Sequence, residues 1–312
     1  MSTDALSFSV VVCAYTEKRW DEIVAAVASL RDQTHPPAEI VLVVDHNPDL
    51  FARARAELAG VICVENEGKQ GLSDARNAGL HAAHADIVAF LDDDAVAEPG
   101  WLALLAEGYA DPAVLGVGGF AQPAWLAGRP AWFPKEFDWV VGCTYLGMPT
   151  TAAAVRNMVG CNMSFRREVF DGLGGFNAAI GRLGTRPVGC EETELCIRLS
   201  QHNPGAVILF DPRAVVHHNV PAGRGTWKYF RARCYAEGLS KAAVADLVGA
   251  DQGLSAERRY STVTLPKGVL AGLAAGIRGD RYGFARAGAI VAGVSIATLG
   301  YGLGRLAPKR FL

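Results

Sequence analysis

The densest chemistry in this chain is the run Phe-Leu-Asp-Asp-Asp at Phe90–Asp94. It closes an apolar stretch, Ile87 to Leu91, that reads as a buried strand. Carboxylates at the end of such a strand repel one another and lose hydration, and folding does not require them. Asp92 and Asp94 are two apart, so an extended backbone points them the same way. That spacing suits one hard divalent cation held by oxygen ligands, with positions left open for a diphosphate. The competing reading is a solvated acidic turn before a helix, with Asp94 or Glu98 near its N-terminus. Further along, the adjacent pair Glu191 and Glu192 opens a helical segment. Acids suit a first turn through the macrodipole, and they also offer a general base. His217 and His218 follow a strand, where they fit either a metal ligand with its partner or a buried turn. Residues 122–150 hold four prolines and the aromatics Trp125, Trp132, Phe133, Phe137, Trp139 and Tyr145. That segment is either the packing of a long loop or a platform for a sugar or lipid acceptor.

The elements that must position these groups alternate. Strands are expected at Phe8–Tyr15, Ile40–Val44, Val61–Val64 and Ile87–Leu91, and helices at Glu22–Arg31, Leu50–Leu58 and Ser73–Ala85. Four strands alternating with three helices within about ninety residues imply a mostly parallel sheet flanked by helices. Ligands in such sheets sit beyond the carboxyl ends of the strands, where Thr16-Glu17, Asp45-His46, Gly68–Gly71 and Asp92–Asp94 all fall. A further strand, Val114–Phe120, contains Gly116-Val-Gly118-Gly-Phe-Ala121, which matches the letters of a dinucleotide fingerprint. No helical pattern follows it and it is not the first strand–helix turn, so that reading is rejected. Val155–Phe165 leads through Gly160-Cys-Asn162 into Arg166-Arg167 and a helix start, and Val207–Phe210 is a further strand, followed by Val215-Val216-His217-His218.

A net charge of −2 over 312 residues leaves no broad basic footprint, which argues against nucleic-acid binding. Seven scattered cysteines without a CxxC read as apolar thiols in a reducing compartment. The polar N-terminus predicts no signal peptide. Beyond Gly225 the character changes. A long helix to Leu247 carries Trp227, Tyr229, Phe230 and Tyr235 among basic residues, a composition suited to a membrane surface. Leu265–Ile277 is apolar, and Ala287–Gly304 has no charge over eighteen residues, which meets the length of a spanning helix. Basic residues flank it on both sides (Arg278, Arg281 and Arg286; Arg305, Lys309 and Arg310), so charge sets no orientation. An interfacial hairpin and a soluble helix pair compete with a full span.

Taken together, the chain from Phe8 to about Ser240 resembles the family 2 glycosyltransferases, inverting enzymes of the GT-A fold. The motifs that carry the resemblance are Val-Val-Cys-Ala-Tyr-Thr-Glu17, Val-Val-Asp45, Gly71-Leu-Ser-Asp-Ala-Arg76-Asn77-Ala-Gly79, Phe-Leu-Asp-Asp-Asp94, Gly-Cys-Asn162-Met-Ser-Phe-Arg, Gly-Gly-Phe176, Glu-Glu-Thr-Glu-Leu195 and His-Asn-Val-Pro221. The resemblance implies an α/β fold with a Rossmann-like, mostly parallel sheet and a helical, membrane-associated C-terminal tail. It divides the chain into a transferase domain over 1–225, with a nucleotide half to about 120 and an acceptor half after it, and a helical region over 226–312. Thr16, Glu17, Asp45, Asp74, Arg76, Asp92 and Asp93 would contact a UDP-sugar. Asp92 and Asp94 would hold Mn²⁺ or Mg²⁺, with His218 as the late histidine and His217 as its substitute. The family's Glu-Asp base motif is Glu191-Glu192 here, which assigns the base to Glu192 and leaves Glu191 as the alternative. Trp132, Asn162 and Glu191 are candidates for the acceptor and sugar pocket, which the loop Gly181–Gly189 would help to shape.

The implied acceptor is a lipid-linked or polysaccharide saccharide at the cytoplasmic face of the membrane. A glucuronosyltransferase acting on a lipid-linked glucose is one activity of this kind. Two other classes compete. A nucleotidyltransferase predicts a glycine-rich, lysine-containing phosphate loop after the first strand, whereas Ala14-Tyr-Thr-Glu-Lys-Arg-Trp20 has no glycine. A non-catalytic nucleotide-sugar-binding protein predicts loss of an acid from the triplet or the base motif, and both are present.

Overall fold

The computed structural model describes residues 6–181, 189–249 and 259–306. The chain divides into two units, Met1–Gln122 with Pro149–Thr185 and Glu191–His218, and Pro123–Met148 with Arg186–Cys190 and Asn219–Leu312.

The first unit is built on strands rich in valine and isoleucine, buried on both faces as a covered parallel sheet requires. β1 (Phe8–Ala14) pairs in parallel with β2 (Glu39–Val44) and with β4 (Ile87–Asp92), and β2 pairs with β3 (Ile62–Glu65). The helices between them are α1 (Trp20–Arg31), α2 (Pro48–Glu57) and α3 (Leu72–Ala82). Helix α2 starts where it does because Asn47 Oδ1 accepts the Leu50 N–H at 3.0 Å and Pro48 opens the first turn. Beyond β4 the pairing turns antiparallel, to β8 (Asn162–Arg166), which pairs with β6 (Val114–Trp125). A long strand β9 (Val207–Val220) pairs antiparallel with the short β5 (Ala95–Ala97) and with β7 (Ala153–Ala154). The whole order is β3-β2-β1-β4-β8-β6-β9-β5. The sheet is therefore parallel through its first four strands and mixed overall.

Two local readings change. The segment read as leading into a helix start holds a strand, Asn162–Arg166, and the strand expected at Val207–Phe210 runs on through the two histidines to Val220, 14 residues in all. The glycine run in β6 serves packing. A Cβ at Gly119 would overlap the Ala214 carbonyl and lie 2.7 Å from Asn162 Nδ2. Two apolar layers sandwich the sheet, one around Val10, Val12, Leu42, Leu91 and Trp101 and the other around Val11, Val43, Phe90, Phe165 and Leu199.

The second unit is helical. After α4 (Trp101–Gly108), α5 (Glu168–Leu173) and α6 (Glu191–His202) of the first unit, it contributes α7 (Trp227–Val248), α8 (Leu265–Ile277) and α9 (Gly283–Leu306). Thr226 caps α7 by accepting the Tyr229 N–H at 3.2 Å. The core of this unit is aromatic, with Phe133, Phe137 and Phe230 fully enclosed.

Candidate active site

Strand alternation and register gather the acidic triplet. β4 ends at Asp92, and the chain turns through Asp93 and Asp94 into β5, whose Ala95 pairs with His218 of β9. This register sets the His218 ring against the triplet, with Nε2 3.2 Å from Asp94 Oδ1 and 3.9 Å from Asp92 Oδ2. His217 is the neighbouring residue on the same strand, so its side chain takes the opposite face and bonds Glu98 Oε1 at 3.1 Å. The expectation that His217 could substitute as a ligand is corrected by that alternation. Asp93 and Asp94 are almost fully buried, so the triplet is not a solvated turn.

The electrostatics of this cluster are unbalanced. Arg19 Nη1 donates to Asp93 Oδ1 at 2.7 Å and lies 3.4 Å from Asp94 Oδ2. Burial pushes Asp93 up to about 7, Asp94 and Asp92 add to the rise, and Arg19 opposes it. Asp93 Oδ2 is buried without a hydrogen-bond partner. One ligand atom each from Asp92, Cys161 and His218 lies within 4.8 Å of the other two. Crowded carboxylates, an imidazole and an orphaned buried oxygen are the donor set a divalent cation would satisfy, so these residues fit one. The sequence identified neither Arg19 nor Cys161. Arg19 could have been sought as a cation just past β1, on the same sheet edge as the triplet, whereas the Gly-Cys-Asn162 motif contains Cys161 without marking it as a ligand.

A second buried pair adjoins the first cluster. Arg76, on α3, donates through Nη1 to Glu191 Oε1 at 2.8 Å and through Nη2 to the Gly160 carbonyl at 3.0 Å, with Asp92 Oδ1 at 3.5 Å. Its guanidinium also lies over the Phe176 ring, 5.4 Å from the centroid. The Arg76 side chain is only 3% exposed, and its donors are directed to protein groups. Glu191 is therefore committed to Arg76. Glu192, the next residue on α6, is half-buried, and its Oε1 lies 3.4 Å from the Thr193 hydroxyl.

The remaining expected residues divide by geometry. Asp45, at the end of β2, accepts from the Gly71 N–H at 3.0 Å and from Asn66 Nδ2 at 2.7 Å, which ties the 66–71 turn to the sheet edge. Asp74 accepts the Lys69 N–H at 3.0 Å within the same turn. Thr16 is half-buried and caps the short helical turn after β1, in which Glu17 is exposed. Asn162 is completely buried and serves as an internal brace. Its Oδ1 accepts the Trp101 Nε1–H at 2.8 Å, and its Nδ2 donates to the carbonyls of Phe120 at 3.2 Å and Ala214 at 3.0 Å. That corrects the expectation of a pocket residue, because its hydrogen bonds are spent on three separate segments. Most of the loop Gly181–Gly189, residues 182–188, lies outside the described residues, as do Lys309 and Arg310. In the second unit, Trp132 is half-buried with its ring 5.3 Å from Phe133, 5.4 Å from Trp227 and 5.5 Å from Phe230. The same unit contains a 680 Å³ cavity lined by Phe133, Leu146, Ala271 and Ile290 together with Arg129, Lys135, Arg286, Glu136 and Asp280, in which Arg129 pairs with Asp138 and Arg286 with Asp280.

Comparison with known proteins places this geometry. Residues 9–174 match the model of glycosyl transferase family 2. The chain is 36% identical over 247 residues to the glucosyl-dolichyl phosphate glucuronosyltransferase of Haloferax volcanii, covering 78% of each chain. It is 26% identical over 245 residues to the succinoglycan biosynthesis protein ExoM of Rhizobium meliloti, covering 76% of this chain and 75% of that one. Among solved structures it resembles the mannosyltransferase PcManGT of Pyrobaculum calidifontis in complex with GDP-Man and Mn²⁺. The TM-score is 0.59 at 19% identity, covering 98% of this chain and 89% of that one. It also resembles GalNAc-T7 with UDP, GalNAc and Mn²⁺, with a TM-score of 0.54 at 20% identity, and covers 84% of this chain but 57% of that longer one. At such identities the two structures establish the fold, which is GT-A. The matched model spans more than half the chain, and a relative above 30% identity covers more than two thirds of it, so this chain is a glycosyltransferase belonging to glycosyl transferase family 2.

Proposed function

We propose that the protein transfers a sugar from a UDP-sugar to a hydroxyl of a lipid-linked saccharide, with inversion, at the cytoplasmic face of a membrane. The observation that carries the reading is the convergence of Asp92, Asp94 and His218 next to the Arg76–Glu191 pair that starts α6. Asp92, Asp94 and His218 would hold Mn²⁺ or Mg²⁺, which when bound neutralises charge developing on a leaving diphosphate. In this reading the first 120 residues or so hold the nucleotide, with Thr16, Glu17, Asp45 and Asp74 on the rim of strand and loop ends that receives it. Arg76 acts as a positioning residue. By fixing Glu191 it sets the first turn of α6, and the neighbouring half-buried Glu192 is the general base for the acceptor hydroxyl. A carboxylate there takes the proton while the oxygen displaces the diphosphate in one step, so a covalent nucleophile is not needed.

The acceptor class is supported by the relative that acts on a glucosyl-dolichyl phosphate. The cavity of the helical unit adds apolar walls, with Lys135 beside two arginines, Arg129 and Arg286, that are paired with Asp138 and Asp280. A polyprenyl chain presents the chemistry that matches those walls, and Trp132 marks the aromatic side of that unit.

Calorimetric titration with UDP and a panel of UDP-sugars, with Mn²⁺ and then with EDTA, tests the reading. Metal-dependent binding that Asp94→Ala abolishes is expected. Glu192→Gln should remove transfer and leave UDP affinity nearly intact. If Glu191→Gln is the inactive variant and Glu192→Gln retains transfer, the assignment of the base fails. If GDP-sugars bind in preference, the donor assignment fails.

A further inference from the structure

The helix α9 is the one described element long and apolar enough to cross a membrane, with 24 residues and a mean hydropathy of 1.5 over its best stretch. At 1.5 Å per residue it reaches about 36 Å, which exceeds a bilayer's hydrocarbon core. Length therefore permits a span, and the neighbouring helix decides against one.

Helix α7 lies along α9 in parallel. Gly293 of α9 faces Phe230, Gly300 faces the Tyr235 carbonyl and Gly304 faces Ala242, so both chains advance in the same direction. The approach is close enough that a Cβ at Gly238 would overlap the Ala297 carbonyl and one at Gly300 would overlap that of Tyr235. Arg305 of α9 pairs with Asp246 of α7. Over this stretch α7 carries Arg231, Arg233, Glu237, Lys241 and Asp246, with Arg231 and Asp246 exposed. Drawing α9 through a bilayer would draw these charges into hydrocarbon with it, which is strongly unfavourable.

The outward faces of α8 and α9 have the opposite character. Leu270, Leu273 and Ile277 recur at helical spacing on α8, and Ile277 is 80% exposed. Phe284, Val291, Leu299, Leu303 and Leu306 form an exposed stripe on α9, opposite the buried Gly293, Gly300 and Gly304. Between Leu265 and Leu306 there are five basic residues against the single acid Asp280; Arg286 pairs with Asp280 and Arg305 with Asp246, so the exposed Lys267, Arg278 and Arg281 carry the excess. An apolar stripe with a basic excess is complementary to an anionic lipid surface.

We propose that the helical unit rests on an anionic bilayer through these outward faces of α8 and α9, with α9 lying in the interface plane and not crossing it. The charged side of α7 then stays in water, and both ends of α9 stay on one side of the bilayer.

Two measurements on the full chain test this. In sealed right-side-out and inverted membrane vesicles, a C-terminal epitope tag and the catalytic unit should be digested by added protease in the same preparation, without detergent. A tag that is protected where the catalytic unit is digested establishes a span and overturns the proposal. Purified protein should float with phosphatidylcholine vesicles containing phosphatidylglycerol, and at least tenfold less with neutral vesicles. Leu270→Glu with Leu299→Glu should lower flotation on anionic vesicles at least tenfold and leave UDP binding intact, because both side chains are exposed. Flotation that is absent on anionic vesicles, or unchanged in the double variant, also overturns it. UDP binding is independent of this inference, so its loss would count against the proposed function and not against the membrane orientation.

Discussion

Replacing Arg76 by alanine is the most informative perturbation of the site. The guanidinium holds Glu191 at 2.8 Å, and the two side chains are 3% and 5% exposed. Truncating one member of a buried pair leaves the other charge uncompensated and costs about 3–5 kcal/mol. Glu191 Oε2 already has no hydrogen-bond partner, so nothing else in its shell takes up the loss. The contact over Phe176 adds roughly 1–2 kcal/mol when desolvated. The expectation is therefore at the upper end, about 5 kcal/mol. Glu191→Gln keeps an acceptor for Nη1 and should cost less, about 1–3 kcal/mol. Combining Arg76→Met with Glu191→Leu should cost clearly less than the two single losses summed, because both buried charges leave together. A chain of two units need not unfold in one step. Amide exchange in β1, β4 and β8 during a urea series therefore reads the first unit directly. A loss below about 1 kcal/mol for Arg76→Ala, or additive single variants, refutes the buried-pair argument. Collapse of UDP affinity with stability unchanged refutes it differently, by showing that the guanidinium serves the donor phosphates.

Asn162→Ala removes three hydrogen bonds and leaves the Trp101 N–H without its acceptor. A loss of roughly 3 kcal/mol or more is expected in the same exchange experiment, and Asn162→Asp should not restore it, because a carboxylate cannot donate to the Phe120 and Ala214 carbonyls. The Ser7 hydroxyl and N–H hold the Asp86 carboxyl below its ordinary range, at 2.6 and 3.0 Å. A depressed carboxylate gives stability that is present at neutral pH and is lost as the pH falls through the folded-state value. Ser7→Ala should raise the Asp86 pKa, read by carboxyl NMR, and make the acid loss from this group shallower. An unchanged titration would show that Ser7 is not the cause.

The residues of the site were legible where a local pattern carries chemistry. An apolar strand that ends in three carboxylates can be recognised without a fold, because no folding requirement places acids there. Alternation of strand and helix was equally legible, and it set the parallel half of the sheet and the edge on which Thr16, Asp45 and Asp92 stand. The antiparallel half was not, since strands β5 and β7 are three and two residues long and hold no periodicity of their own.

By itself, the sequence determined the family, the acidic triplet, the glutamate pair and the apolar tail, because each is written in consecutive residues. Only the tertiary structure separated His218 from His217, since the β5–β9 register decides which of two adjacent side chains faces the triplet. It alone showed that Glu191 is bonded by an arginine 115 positions away. Asn162 looked like a pocket residue until its three partners, 42 to 61 positions distant, showed it to be a brace. Arg19 and Cys161 became part of the site in the same way. Residue types and spacing specify which chemistry a segment can perform. Which of several equivalent side chains performs it depends on long-range partners that fix charge, orientation and burial, and those exist only once the chain has folded.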